Sequence, residues 1–568
     1  MRSFSGGPPA QTLLVGIRPQ QRIVHLTTVG CGCGVCCKDL YELEVDIISQ
    51  DGLQQEKAVA PMILPHELFG ALHDRGGKAW RVNVCGDGQC DEFWRRMSGV
   101  CYMQGHPVLQ DRGRWQDTIP LGFHGDGAAF TKLDKLMAFS WNGILGPGGG
   151  QRLDSRYMIC AVPMTWLLTG QVDGATFPTT LYQLTVPIAW SFACLMSGTY
   201  PRTDHLLREW PRGSRRAMLA GSPIAGQWRA VLLDFRGDWE FQSTFWNVPS
   251  ATSLLMCWSC WAGLPDYPNF SDNAPWRARP RTTQEYHQAH PPGRVNAFAT
   301  LPGWRVEFIK WDETHLCKLG VARLVAASSL LRLVQRGLFG RPPLNAQLAR
   351  AWAAFREWAW LNKVQHGVRR FTRARFSFAA GEWPEASTKA WNTRVVIAWL
   401  THAACTAPDA ANSDDTRMLA LLLRSLNEAF LTMESCRGVF FTPVQAATVT
   451  EALQRFLAAH TWLSTEALRT NELLWPIRPK HHGLCHVREF VLKDSRNPKR
   501  YGCIMDEDFL GRIVQVANKC HRRSIASGVL LRYLLRLHRH WRCSDRSPRL
   551  RIRLRPRARA MRRLPPRL

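Results

Sequence analysis

Short apolar runs separated by glycine, proline and aspartate dominate the chain from Thr118 onward. Residues 119–123, 136–141 and 157–162 each have strand length, with turn-forming residues between them. An apolar segment at 188–196 follows, too short and too continuous for its period to separate helix from strand. Residues 228–235, with an Ala-Val-Leu-Leu centre, then read as a buried strand, so the expected order is roughly β-β-β-α-β. Ahead of these, 43–48 has a strand pattern and 65–73 a helical one, which makes 1–115 a small Cys-containing α+β region. Beyond a Pro- and Asn-rich connector reaching about Pro302, apolar residues recur at three- and four-residue spacings in 319–335, 344–362, 417–433 and 444–468, the period of helices. Ser413-Asp414-Asp415 and Thr442-Pro443 supply helix starts. After Trp475 the pattern is mixed, with a short strand expected near 486–492 and a last helix over 506–516. The expected organisation is an α/β core in two parts, 116–265 and 475–530, a mainly helical insertion at 266–474, and a basic tail at 531–568.

Composition narrows the class. Of 568 residues 45% are apolar and only 21% charged, which supplies a sizeable core and excludes a mainly disordered or fibrous chain. No clean run of 18 apolar residues occurs, since the best window, 184–196, is interrupted by Pro187; no membrane span is expected. The first ten residues lack the apolar stretch of a secretory leader, so an intracellular protein is expected. The 18 Cys then read mostly as buried thiols rather than disulfides.

The formal charge is +28, which favours a polyanionic partner. Residues 536–568 hold thirteen Arg against the single acid Asp545, leaving +16 on the rest of the chain. Within this extended tail Arg549, Arg551, Arg553, Arg555, Arg557, Arg559, Arg562 and Arg563 are candidate phosphate contacts. A GC-rich coding bias gives the same excess of Arg over Lys.

Two acids stand where strand patterns meet glycine, in Phe123-His124-Gly125-Asp126-Gly127 and in Asp234-Phe235-Arg236-Gly237-Asp238-Trp239. Carboxylates on neighbouring strands, joined by a third on a helix, can hold divalent cations that activate water and stabilise a leaving oxygen. Asp126 and Asp238 read equally as turn aspartates. Glu507, in Met505-Asp506-Glu507-Asp508, is the candidate third acid, with Glu489 as fallback; a run of acids at a helix start also suits a solvated face. Cys257 and Cys260 have the spacing at which two thiolates grip zinc, and His482 and His486 would face one ion if helical, although no spacing rule links the two segments. Core thiols and hydrogen-bonded histidines are the competing reading. Cys31, Cys33, Cys36 and Cys37 form a weaker cluster, and Gly146-Pro147-Gly148-Gly149-Gly150 lacks the lysine of a phosphate loop.

Taken in order, Gly122 to Phe130, Trp228 to Trp246, Cys257 to Cys260, Pro479 to His486 and Asp506 to Ile513 resemble an uncharacterised multicopy protein family of large protist genomes. The arrangement is also similar to DDE-class transposases with an RNase H-like core. Those enzymes carry Cys-x-x-His after the second acid where this chain has Cys-x-x-Cys; the Pro479-Lys480-His481-His482 segment resembles their Pro-Lys-x-His-x-x-x-His. The resemblance implies an RNase H-like mixed sheet with a helical insertion. It also implies Asp126, Asp238 and Glu507 as ligands of Mg2+ or Mn2+, and Cys257 with Cys260 as a structural pair, with Zn2+ a further cofactor. The expected function is a transposase-like, metal-dependent DNA nuclease and strand-transfer protein of mobile-element origin, acting in the nucleus. The alternatives are a non-catalytic binder of DNA or RNA derived from such an element, and a structural or decayed product without activity.

Overall fold

The computed structural model describes residues 40–49, 54–131, 134–147, 155–172, 175–290, 294–407 and 413–545. The first Cys cluster and all eight candidate tail arginines lie outside them.

An antiparallel hairpin, β1 (Tyr41–Ile48) with β2 (Gln55–Met62), leads into α1 (Pro65–Arg75), which begins with proline at its first position. Helix α2 (Cys90–Met97) precedes the main sheet. Its strands β3 (Thr118–Ala129), β4 (Lys135–Gly143) and β5 (Tyr157–Pro163) form an antiparallel meander. The chain then passes through α3 (Thr179–Ser197) to β6 (Arg229–Arg236), which pairs in parallel with β3. The spatial order is β5-β4-β3-β6. A parallel neighbour demands a crossover, and α3 lies within it, resolving the ambiguous segment at 188–196 as helix. Every residue of β5 is buried, as are those from Thr118 to Gly125 in β3, because helices and loops cover the sheet. This is why these strands read as continuous apolar runs instead of alternating ones.

Helix α4 (Trp239–Trp246) starts directly after β6. A π-helical turn, Thr314–Val321, opens the helical part and runs into α5 (Ala322–Gln335). There follow α6 (Leu344–Leu361), α7 (Ala390–Cys405), α8 (Asp414–Ser435) and α9 (Pro443–Arg469). Thr442 caps α9 in a reciprocal box with Gln445. Helix α7 had no counterpart in the expected elements: apolar residues occupy most of its sides, with Val395, Val396, Ile397, Trp399 and Leu400 all buried, so a single amphipathic stripe is missing.

Helix α10 (Pro479–Asp494) replaces the strand expected near 486–492. Its buried positions His482, His486 and Phe490 fall four apart, the helical period. Helix α11 (Ile504–Ala517) is the expected last helix, but α12 (Ile525–Asp545) follows it. The tail therefore does not begin at 531. Val529, Leu530, Tyr533, Leu537 and Trp541 are buried as α12 packs on β5 and β2, while Arg532 and Arg539 face solvent. The density of arginine concealed an amphipathic helix. The result is a mixed α/β molecule in which one continuous apolar core runs from the sheet into the helical part. Among the described residues no helix is long and apolar enough to cross a membrane.

Candidate functional site

Cys257 and Cys260 lie in the loop after α4, and the first two turns of α10 bring His482 and His486 to them. Cys257 Sγ stands 3.2 Å from His486 Nε2, Cys260 Sγ 3.3 Å from His482 Nε2, and the two Nε2 atoms 3.1 Å apart. All four ligand atoms fall within 4.8 Å of one another, and all four side chains are buried. A tetrahedral zinc with the usual bond lengths, about 2.3 Å to sulfur and 2.0 Å to nitrogen, needs ligand separations of roughly 3.3–3.8 Å. The cluster thus fits a metal such as zinc.

Its surroundings would suit a bound metal. His486 Nδ1 bonds Glu489 Oε2 at 2.8 Å, which leaves Nε2 to face the sulfurs, and Arg277 holds Glu489 from the other side at 2.5 Å. The Cys260 thiol is driven toward thiolate by hydrogen bonds from Cys257, His482 and His486. Trp276 lies edge-on to both histidines, and Trp311 stacks on His486 with ring centres 5.5 Å apart. Glu489 is thereby committed to the histidine, which removes it as a fallback third acid.

A second constellation gathers around the ends of β3 and β6. Asp126 sits within β3, opposite Ala138 of β4, and is not a turn residue. Asp238 caps α4, one oxygen accepting the Phe241 N–H at 2.7 Å. The flanking glycines allow a close approach: a Cβ at Gly125 would meet the Phe241 ring at 2.2 Å, and one at Gly237 would meet the same ring at 2.2 Å. Phe241 thus draws the start of α4 against β3 and brings the two carboxylates into each other's field. Burial and the charge of Asp238 push Asp126 up to about 7, with Glu507 adding to the shift. Glu507, on the first turn of α11, is also raised by its burial, and its Oε1 is enclosed without a hydrogen-bond partner.

The three consecutive acids of α11 have separate fates. Asp506 is fully buried between Arg156 and Arg236, Glu507 turns toward the carboxylate cleft, and Asp508 is exposed. A common solvated face is therefore excluded.

His315 was not singled out from sequence. It lies in the π-helical turn, its Nδ1 2.5 Å from Asp312 and its Nε2 3.6 Å from Glu507. Burial alone would lower its pKa, yet the hydrogen bond and charge of Asp312, with Glu507 and Asp238, raise it to about 9. Asp312 is itself anchored by the N–H groups of Thr314 and Cys503, each at 2.9 Å. A cavity of about 380 Å³ opens here, lined by Asp238, Thr244, Trp311, Asp312, His315 and Lys480. Only the spacing of Asp312 and His315 hinted at this pair, and i,i+3 contacts of that kind are common on helices.

Asp126, Asp238 and Glu507 share one electrostatic neighbourhood, but among the described residues only the Cys2His2 group is compact enough to count as a ready metal cluster. Fold and sites define a mixed α/β protein with a buried Cys2His2 centre beside a carboxylate–histidine cleft. Trp311 joins the two, stacking on His486 while its neighbour Asp312 holds His315. The chain matches no family model and no curated protein sequence.

Proposed function

We propose that the protein is a transposase-like, metal-dependent nuclease acting on nucleic acid, with an RNase H-like core and with Asp126, Asp238 and Glu507 as its acids. The observation that carries this reading is that Asp126, two residues beyond the stretch of β3 paired with β6, lies in the electrostatic field of Asp238, which caps α4 two residues after β6 ends. The sheet order β5-β4-β3-β6, three antiparallel strands followed by a helix and a parallel neighbour, supports it. The all-oxygen donor set suits Mg2+ or Mn2+, and the charge of Asp238 that raises Asp126 is what a cation would relieve. A divalent ion bound there would supply Lewis acidity toward a phosphoryl oxygen and lower the pKa of a bound water.

In such hydrolysis a water oxygen attacks phosphorus, the P–O3′ bond breaks, and the departing oxygen takes up a proton, leaving a 5′-phosphate and a 3′-hydroxyl. Asp126 and Asp238 would orient the reacting groups from the sheet, and His315, fixed by Asp312, stands where it can contact a phosphate oxygen. The Cys2His2 centre has the closed ligand set of a structural zinc site, so its role is to hold α10 and Trp311 in place beneath the cleft.

Replacing Asp126 by Asn should abolish Mg2+-dependent nicking of a supercoiled plasmid while leaving DNA affinity within about twofold, a change of about 0.4 kcal/mol. Equal nicking by the variant would end the catalytic assignment. One observation favours a second reading, a nucleic-acid binder without chemistry: the cationic His315 already offsets part of the acidic charge.

A further inference from the structure

The connector between α6 and α7 builds a cavity whose charged lining is entirely cationic. About 470 Å³ in volume, the cavity is lined by Arg323, Arg369, Arg375 and Lys389 together with neutral residues, and no acid faces it. Among the described residues Arg369, Arg375 and Lys389 make no ion pair, whereas arginines elsewhere in the helical part, such as Arg332, Arg336 and Arg394, are paired with acids. Unpaired arginines gathered around one hollow repel each other, and such an arrangement is stable only if the loop is held by other forces.

Those forces are visible. Phe371 and Phe376 are buried beneath the loop, Phe371 against Trp352, Phe355 and Trp399. Backbone bonds tie the loop to itself and to α5: Ser387 N–H donates to Arg375 O at 2.7 Å, and Ala386 N–H to Arg323 O at 3.2 Å. Arg323 in turn donates through Nε to Thr388 O at 2.9 Å. The cationic groups are therefore presented on a fixed frame, which reduces the ordering cost of binding an anion.

The cavity also has a direction. Lys480, on the first turn of α10, lines the carboxylate cleft, and its ammonium lies within the field of Arg323 as well as of Asp238, Glu385 and Asp312. Cationic groups thus lead from the hollow to the rim of the acids.

We infer that this cavity, with Arg369, Arg375 and Lys389, binds the phosphodiester backbone of a nucleic-acid strand and guides it past Lys480 toward the carboxylate cleft. The inference deepens the proposed function, on which its directional part rests. Guanidinium groups match phosphate oxygens in pairs, and contacts to the backbone give affinity independent of base sequence.

The test uses the full chain, without added divalent ion, and a labelled single-stranded oligonucleotide followed by fluorescence anisotropy over a range of salt. The combined variant Arg369→Gln, Arg375→Gln and Lys389→Gln should weaken binding tenfold or more at low salt. It should also make the plot of log affinity against log salt shallower by about 2 units, since each strand phosphate contact contributes about 0.7. Its thermal midpoint and zinc content should equal those of the parent; if they do not, Arg369→Gln alone, at an exposed position, should give about a third of the change in slope. Unchanged affinity and slope in both variants would overturn the inference, as would equal competition by a poly-glutamate peptide or exclusive binding of tripolyphosphate. Strand binding that depends on these residues, without any cleavage when Mg2+ is added, would leave the site standing and remove the catalytic reading instead.

Discussion

At the scale of single residues the environment of Asp126 makes a prediction about pH. Its carboxyl has an ordinary value near 4 in the unfolded chain and about 7 in the folded one, raised by burial and by Asp238. A raised carboxyl favours the folded state fully only at low pH, and that contribution disappears as pH rises through the folded value. In Mg2+-free buffer Asp126→Asn should therefore match the parent in stability near pH 4. Near pH 8 it should exceed the parent by about 2–4 kcal/mol in urea unfolding, from about three units at 1.36 kcal/mol each with allowance for partial exposure. A parent whose stability does not fall between these pH values would show that the two carboxylates do not repel. The sequence marked Asp126 and Asp238 through their glycine neighbours, and the reason is now evident: Phe241 occupies the space a Cβ would fill. His315 carried no such mark, because its role depends on Asp312 and Glu507 arriving from other segments.

Among elements, the Cys2His2 cluster joins the loop after α4 to α10 across the whole helical part, beside the ion pairs Arg277–Glu489 and Asp272–Arg488. His482 and His486 stand one helical turn apart, so the four-residue spacing was informative, whereas the pairing with Cys257 and Cys260 bridges more than 220 residues. Cys257→Ser should reduce bound zinc from about one per chain to near zero by elemental analysis. It should lower the thermal midpoint by several degrees, in line with a loss of a few kcal/mol. A variant that keeps its zinc would exclude Cys257 as a ligand. A second link between elements is Arg496, whose guanidinium makes paired bonds of 2.7 and 2.5 Å to Asp234 of β6, fastening the turn after α10 to the sheet. Neither partner shows any sequence sign of the other. Two elements differ from the sequence reading for different reasons: the short stretch 486–492 showed too few residues of one face to reveal the helical period of α10, and the arginines of α12 suggested a solvated tail.

For the whole molecule, charge is the property with the longest reach. Because α12 extends to Asp545 and packs on the sheet, a tail deletion that tests the arginines must begin after that residue. Removing 546–568 should make the salt dependence of duplex DNA binding shallower by about 7 units if the eight candidate arginines neutralise phosphates, at about 0.9 each. An unchanged slope would assign nucleic-acid affinity to the folded body and its remaining positive charge. Run beside the cavity variants, the deletion separates two basic surfaces that a net charge of +28 cannot distinguish.

Periodicity and punctuation in the sequence by themselves determined the central strands, the crossover position and most helices, because burial imposes its spacing locally wherever an element packs by one face. They also determined which acids, thiols and imidazoles were worth watching, through short-range spacing alone. Only the tertiary structure decided which of them meet. The Cys2His2 cluster, the repulsion of Asp126 by Asp238, the approach of Glu507 and Cys503 to His315 and Asp312, and the grouping of unpaired cationic side chains around the hollow beside the α6–α7 connector all arise from contacts between segments apart in sequence. Such contacts are set by which elements pack against which, and the period of one element shows which face is buried without showing what partner covers it.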